Sequence, residues 1–225
     1  MSLNIVCKLD NLIEPKNALI SVSDKTGLNY LIPELLELCP EITIYSTGGT
    51  YKYIKEILAD NSDKHLKQVS DYTGQPELQG GLVKTLDFKI YMGLLAESYN
   101  NYHENDMKRV NAEFIDLVIV NLYPFKETIS KADVSVEMAR GNIDIGGPCM
   151  IRAGAKNFLR VASVVDPSDY KKILKELKEN NGKISLNRRV ELAKKAFKHT
   201  SEYDSAIQEY LHKKTIDEII NCYEM

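Results

Sequence analysis

Short β-branched runs alternate along this chain with stretches in which apolar residues recur every three or four positions. Strand signals fall at residues 17–22, 42–45, 116–120 and 160–165, each closed by a polar or glycine-containing turn. After the first, Leu28, Leu31, Ile32, Leu35 and Leu38 follow the spacing of a helix lying on a sheet. After the last, Asp166 is placed to cap a helix with Pro167 at its first position, and Tyr170, Ile173, Leu174 and Leu177 form the apolar stripe. Strands alternating with helices predict an α/β fold, a mostly parallel sheet covered by helices.

From Leu186 onward the strand signal stops. Tyr203, Ala206, Ile207, Tyr210 and Leu211 mark an amphipathic helix, followed by Ile216, Ile219, Ile220 and Tyr223. The expected organisation is one domain over residues 1–185 with a helical segment, 186–225, packed on it. Periodicity leaves open whether that segment lies on the sheet, mediates dimer contacts or connects to something further. Residues 61–67 and 179–183 read as solvated loops.

The 225 residues carry a net charge of −3 with both signs mixed throughout, which argues against a basic face for nucleic acid. No run approaches the roughly 18 apolar residues of a membrane span, and residues 1–16 lack a leader pattern, so a soluble, cytoplasmic protein without a membrane partner is expected. Cys7, Cys39, Cys149 and Cys222 lie far apart and read as reduced thiols. The four histidines are equally scattered, and no metal site is expected.

The candidate chemistry begins at Ser46-Thr47-Gly48-Gly49-Thr50, where a strand ends and a helix starts. Free N–H groups of a first helical turn, small residues and the helix dipole together make a seat for a phosphate. The lysine of the nucleoside-triphosphate loop is absent, and so is the G-x-G-x-x-G spacing, so the ligand predicted is a phosphorylated small molecule. In a parallel sheet the ligand crevice lies at the carboxyl ends of the strands. Four more segments fall at such positions. Ser23, Asp24 and Lys25 form a polar turn that also reads as a plain helix cap. Gly80 to Asp87 contains Lys84 and Thr85. Asn121 and Tyr123 follow the most hydrophobic strand, where a packed turn is the alternative. Asp144 stands between two isoleucines ahead of Gly146-Gly147-Pro148, a helix start, and a carboxylate in apolar company is either paired or raised in pKa.

In this order SVSDKTG, STGGT, VSDYTGQPELQGGLVKTL, VNLYPF, IDIGGPCMIRAGAKN and KAFKHTSEYD resemble the inosine monophosphate cyclohydrolase domain, the N-terminal half of a bifunctional purine-biosynthesis protein that also carries a transformylase. The resemblance implies a methylglyoxal-synthase-like, three-layer α/β fold with additional C-terminal helices, and a homodimer. It implies closure of the formylated carboxamide ribonucleotide to inosine monophosphate with loss of water and no cofactor. By the same resemblance Thr47, Gly48, Gly49 and Thr50 hold the 5′-phosphate with Ser23, Asp24 and Lys25 nearby. Lys84 and Thr85 face the substrate, Lys84 as the group stabilising the developing oxyanion, and Asn121, Tyr123 and Ile145 line the site. Asp144 orients the carboxamide, and Lys156, its pKa lowered by burial at the end of a packed helix, carries protons.

The family pattern is broken at Leu82 in place of Arg, at Asp87-Phe88 in place of His-Pro, and at Tyr91 in place of His. If these residues contact substrate, binding weakens or specificity shifts. The alternatives are therefore a diverged relative acting on another phosphorylated, nucleotide-like ligand, or a non-catalytic ligand-sensing domain. A stand-alone cyclohydrolase would take its substrate from a separate transformylase.

Overall fold

The computed structural model describes residues 5–75 and 83–224. Along the first part run β1 (Leu12–Ile13), β2 (Asn17–Val22), α1 (Leu28–Leu38), β3 (Thr43–Ser46), α2 (Gly48–Leu58), α3 (Ser62–His65), β4 (Leu66–Gln68) and α4 (Val69–Thr73). The second part contains α5 (Phe88–Leu95), α6 (Asn101–Arg109), β5 (Leu117–Asn121), α7 (Phe125–Ile129), α8 (Val136–Gly141), α9 (Gly146–Lys156) and β6 (Ala162–Val164). It ends with α10 (Tyr170–Glu179), β7 (Ile184–Ser185), α11 (Leu186–His212) and α12 (Ile216–Ile220).

Five strands form one parallel sheet in the order β4-β3-β2-β5-β6, while β1 and β7 pair antiparallel beside it. Alternate side chains of each strand enter opposite cores. Ala18, Ile20, Leu117 and Ile119 meet α1, α2 and α10, whereas Leu19, Val118 and Val120 meet α5, α9 and α11. A sheet buried on both faces needs near-continuous apolar strands, which is why these segments read as unbroken runs. The result is the three-layer α/β architecture expected.

Three expectations change. The stretch 61–67, read as a solvated loop, contains α3 and the start of β4, with Ser62, His65 and Leu66 buried. His65 Nδ1 lies 3.0 Å from the Ile42 carbonyl, and a three-residue edge strand with Lys67 and Gln68 carries too little apolar pattern to be seen. The last sheet strand spans 162–164 because Arg160 is instead buried beneath the sheet edge, donating to Asp116 Oδ1 at 2.8 Å and the Ile115 carbonyl at 3.0 Å. Asp166 caps as expected, but the turn it starts, 167–169, is a short 3₁₀ segment that leads into α10.

The segment after 185 packs on the same body. Ala193, Ala196, Tyr203, Ala206 and Tyr210 of α11 are buried in the second core, while α12 buries no residue. Arg189, fully buried in the second turn of α11, donates to the carbonyls of Asp10, Asn11, Phe158, Leu159 and Ile184. One guanidinium thus ties α11 to the N-terminal segment, to β7 and to the lead-in of β6. Replacing it by methionine leaves these carbonyls without their donors. Arg189→Met is expected to lower the unfolding free energy by about 3 kcal/mol, read as a lower urea midpoint at unchanged slope.

Candidate functional site

The parallel register sets Ile20 opposite Ser46 on one side and Val22 opposite Asn121 on the other, so β3, β2 and β5 end together. A cavity of about 380 Å³ opens at these ends. Side chains stitch its floor. Ser46 Oγ donates to the Ile20 carbonyl at 2.7 Å, and Thr50 Oγ1 both donates to the Val22 carbonyl and accepts the Val22 N–H, each at 3.0 Å. The Ser21 and Thr47 hydroxyls are 3.1 Å apart.

These bonds fix where α2 starts. The N–H groups of Thr50 and Tyr51 both fall on the Thr47 carbonyl at 3.1 Å, and those of Gly48 and Gly49 have no acceptor among the described residues. Gly48 has φ +48°, a conformation that favours glycine. A Cβ on Gly48 would lie 3.4 Å from Lys84 Nζ, and one on Gly49 3.8 Å from Lys25 Nζ. Two open N–H groups, the positive end of α2 and two ammonium groups therefore converge on one spot, which suits an anion. The Thr50 hydroxyl is already committed to β2, so Thr50 builds the seat rather than reaching into it.

A second helix start, that of α9, forms another wall. Asp144 Oδ1 accepts the Gly147 N–H at 2.8 Å, and the Tyr123 N–H lies near the same carboxylate. Burial pushes the Asp144 carboxyl above the ordinary carboxylate range, and the two N–H groups only partly offset it. A Cβ on Gly147 would come within 2.5 Å of Asp144 Oδ2 and 2.6 Å of Leu122 Cδ2, so glycine is needed for the carboxylate to sit there. Thr85 is buried with its Oγ1 2.6 Å from where a Gly146 Cβ would stand. Adjacent residues Lys84 and Thr85 thus reach the starts of α2 and α9 respectively.

Asn121, the last residue of β5, has its amide occupied. Its Oδ1 accepts the N–H groups of Ser23 and Asp24 at 2.7 and 2.9 Å, and its Nδ2 donates to the Asp24 carbonyl at 2.8 Å. It clamps the turn that carries Lys25.

The structure brings Ser23, Lys25, Thr47, Gly48, Gly49, Thr50, Lys84, Thr85, Asn121, Tyr123, Asp144 and Ile145 around this cavity. Asp24 is not among them. Its Oδ1 accepts the Thr26 N–H at 2.8 Å, which holds its pKa low, and it faces the outer side of the turn. Lys156 also lies elsewhere. It is exposed at the C-terminal end of α9, about 15 Å along the helix from Gly146, so the expected burial does not occur. Three of the departures from the family pattern are likewise off the cavity wall. Asp87 caps α5 by accepting the Lys89 N–H at 2.8 Å, Phe88 points outward, and Tyr91 packs toward Cys149 of α9. Gly80, Gly81 and Leu82 lie outside the described residues. Ser21, Asn142 and Met150 line the cavity without having been singled out as site residues. Ser21 was legible as the polar residue ending an apolar strand, but Asn142 and Met150 carry no local signal.

Fold and site together define an α/β domain with a cavity at its strand ends, one wall of which suits an anion. The MGS-like domain model matches residues 30–149, and the chain belongs to that family. The model described as the AICARFT/IMPCHase bienzyme matches residues 154–224. The chain is 48% identical over 201 residues to the bifunctional purine biosynthesis protein PurH of Acetivibrio thermocellus, covering 88% of this chain and 37% of that protein. It is 49% identical over 196 residues to PurH of Bacillus subtilis, with 87% and 37% covered. It therefore spans little more than a third of the length of these curated relatives. A crystal structure of ForH superposes with a TM-score of 0.75 at 32% identity, over 87% of this chain and 96% of that one. No helix among the described residues is long and apolar enough to cross a membrane.

Ribose 5-phosphate serves as a probe of the seat. Lys25→Ala is expected to weaken its binding about tenfold in calorimetry, and binding to the unaltered chain should fall as salt is raised from 50 to 500 mM, both values about those at which screening changes strongly.

Proposed function

We propose that this chain is an inosine monophosphate cyclohydrolase of purine biosynthesis. It closes 5-formamidoimidazole-4-carboxamide ribonucleotide to inosine monophosphate with loss of water. The observation that carries this reading is the pairing, in one cavity, of a phosphate seat at the start of α2 with the half-buried Asp144 at the start of α9. Relatives described as bifunctional purine biosynthesis proteins support it.

The reaction joins two groups of one molecule, so the first task is to hold them in contact. In this reading the α2 N–H groups and Lys25 fix the 5′-phosphate, and the base extends toward α9. The Asp144 carboxylate accepts a hydrogen bond from the carboxamide NH₂, turning its nitrogen toward the formyl carbon and raising its electron density. As the C–N bond forms, negative charge grows on the formyl oxygen. The positive end of α9 and the Lys84 ammonium are the groups that stabilise it. The carboxamide nitrogen then gives up one proton and the formamide N–H the other, the former formyl oxygen takes both and leaves as water while the ring C=N bond forms, and the Tyr123 hydroxyl at the cavity mouth is the group that moves them. Lys156 has no part in this scheme, because it stands at the far end of α9. Asp87, Phe88 and Tyr91 are not among the described residues that line the cavity, so this scheme gives them no role. A homodimer, and a separate formyl-transferring enzyme as the source of substrate, belong to the same proposal.

The test is the absorbance rise of inosine monophosphate when the chain meets the formylated ribonucleotide. Acceleration above the uncatalysed background is expected, and its absence would refute the reading. Asp144→Asn is expected to lower kcat by about a hundredfold with KM changed by less than about threefold, because the phosphate seat is intact. The pH profile follows from burial. Asp144 works ionised and its pKa is raised in the fold, so kcat should fall with falling pH through a midpoint above the ordinary carboxylate value of about 3.9.

A further inference from the structure

Asp144 is held from two directions. Its carboxylate is fixed by the N–H of Gly147 in the cavity wall. Its own N–H donates at 2.8 Å to the hydroxyl of Tyr203, a residue 59 positions later in the middle of α11. Tyr203 is buried, and its ring meets Phe125 edge-on at 6.2 Å between centroids. Phe125 begins α7 two residues after Tyr123. One side chain of α11 therefore touches both segments that present the acid: the 143–147 turn by a hydrogen bond and the 122–125 turn by packing. Residue 203 belongs to the stretch matched by the AICARFT/IMPCHase model, whereas Asp144 and Phe125 fall within the MGS-like match, so the contact also joins the two matched stretches.

We infer that Tyr203 is a positioning residue that sets the backbone of Asp144 from α11 and thereby aims its carboxylate into the cavity. Its consequence for turnover rests on the cyclohydrolase reading above. The physical argument is one of leverage. Asp144 is a turn residue between a partly exposed Ile143 and an exposed Ile145, without strand or helix bonds of its own. A carboxylate displaced by about 1 Å loses most of its catalytic alignment. The Tyr203 hydroxyl is the acceptor that keeps the Asp144 peptide plane turned so that Oδ1 meets the Gly147 N–H. Nothing in this contact reaches the phosphate end, where Lys25, Gly48 and Gly49 stand on other elements.

Tyr203→Phe keeps the ring and removes the acceptor, and Tyr203→Leu removes both. For the phenylalanine variant kcat is expected to fall at least about tenfold with KM within about twofold. The thermal midpoint should stay within about two degrees of the unaltered chain, while the leucine variant is less stable and no more active. The readout that a merely structural role would not move is the Asp144 carboxyl titration followed by carbon-detected NMR. Its midpoint should shift in Tyr203→Phe. An unshifted midpoint overturns the inference, whatever happens to the rate. So does a phenylalanine variant with full kcat beside a leucine variant that has lost it, since the ring alone would then matter. If the unaltered chain fails to cyclise the formylated ribonucleotide, the functional reading falls, and the Asp144 midpoint still decides the inference.

Discussion

Everything at this site depends on β3, β2 and β5 running parallel side by side and stopping together. Parallel pairing puts all three chain exits on one edge, and register decides which residues face one another there. The exits are then joined by side chains: Ser46 and Thr50 to β2, and Asn121 to the turn after β2. Each bond links residues at least 26 positions apart, so the cavity exists only when the sheet does. That is a reason for polar residues to occupy the last position of apolar strands here, where they replace the ladder bonds that end.

The cavity draws its electrostatics from two helix starts. At α2 the start is left open, with two glycine N–H groups and two lysines near it, and suits a charge brought from outside. At α9 the start already holds a charge, the Asp144 carboxylate, whose ionisation burial opposes and N–H groups favour. The same backbone device serves as a binding group in one place and as a pKa control in the other. Lys84 and Thr85, adjacent in sequence, bridge the two.

Several residues at and behind the walls act on the backbone that shapes the cavity. Asn121 clamps a turn, Gly147 leaves room for a carboxylate, and Tyr203 holds a peptide plane from a distant helix. Arg189 plays the corresponding part for the body as a whole by gathering carbonyls from the N-terminal segment, the lead-in of β6 and β7 at the start of α11. Long-range single bonds of this sort make the C-terminal helix part of the domain that carries the cavity.

Local chemistry alone determined much of this. Apolar runs of four to six residues marked β2, β3 and β5, three-to-four spacing marked α1, α10 and the later part of α11, and Gly48-Gly49 after a strand marked the anion seat. Each of these signals is a property of neighbouring residues, so it survives in a linear reading. The tertiary structure decided the rest. Lys156 follows Asp144 closely in sequence, yet helical rise carries it out of reach, and burial, on which its assigned role depended, is a property of neighbours that α9 alone does not possess. Asp87, Phe88 and Tyr91 adjoin Lys84 and Thr85 but turn away once α5 begins. Asn121 lines the cavity as expected but also clamps the turn after β2, while Tyr203, distant in the chain, stands behind Asp144. Direction and occupancy of a side chain depend on which elements meet across the sheet, and no stretch of local sequence encodes that meeting.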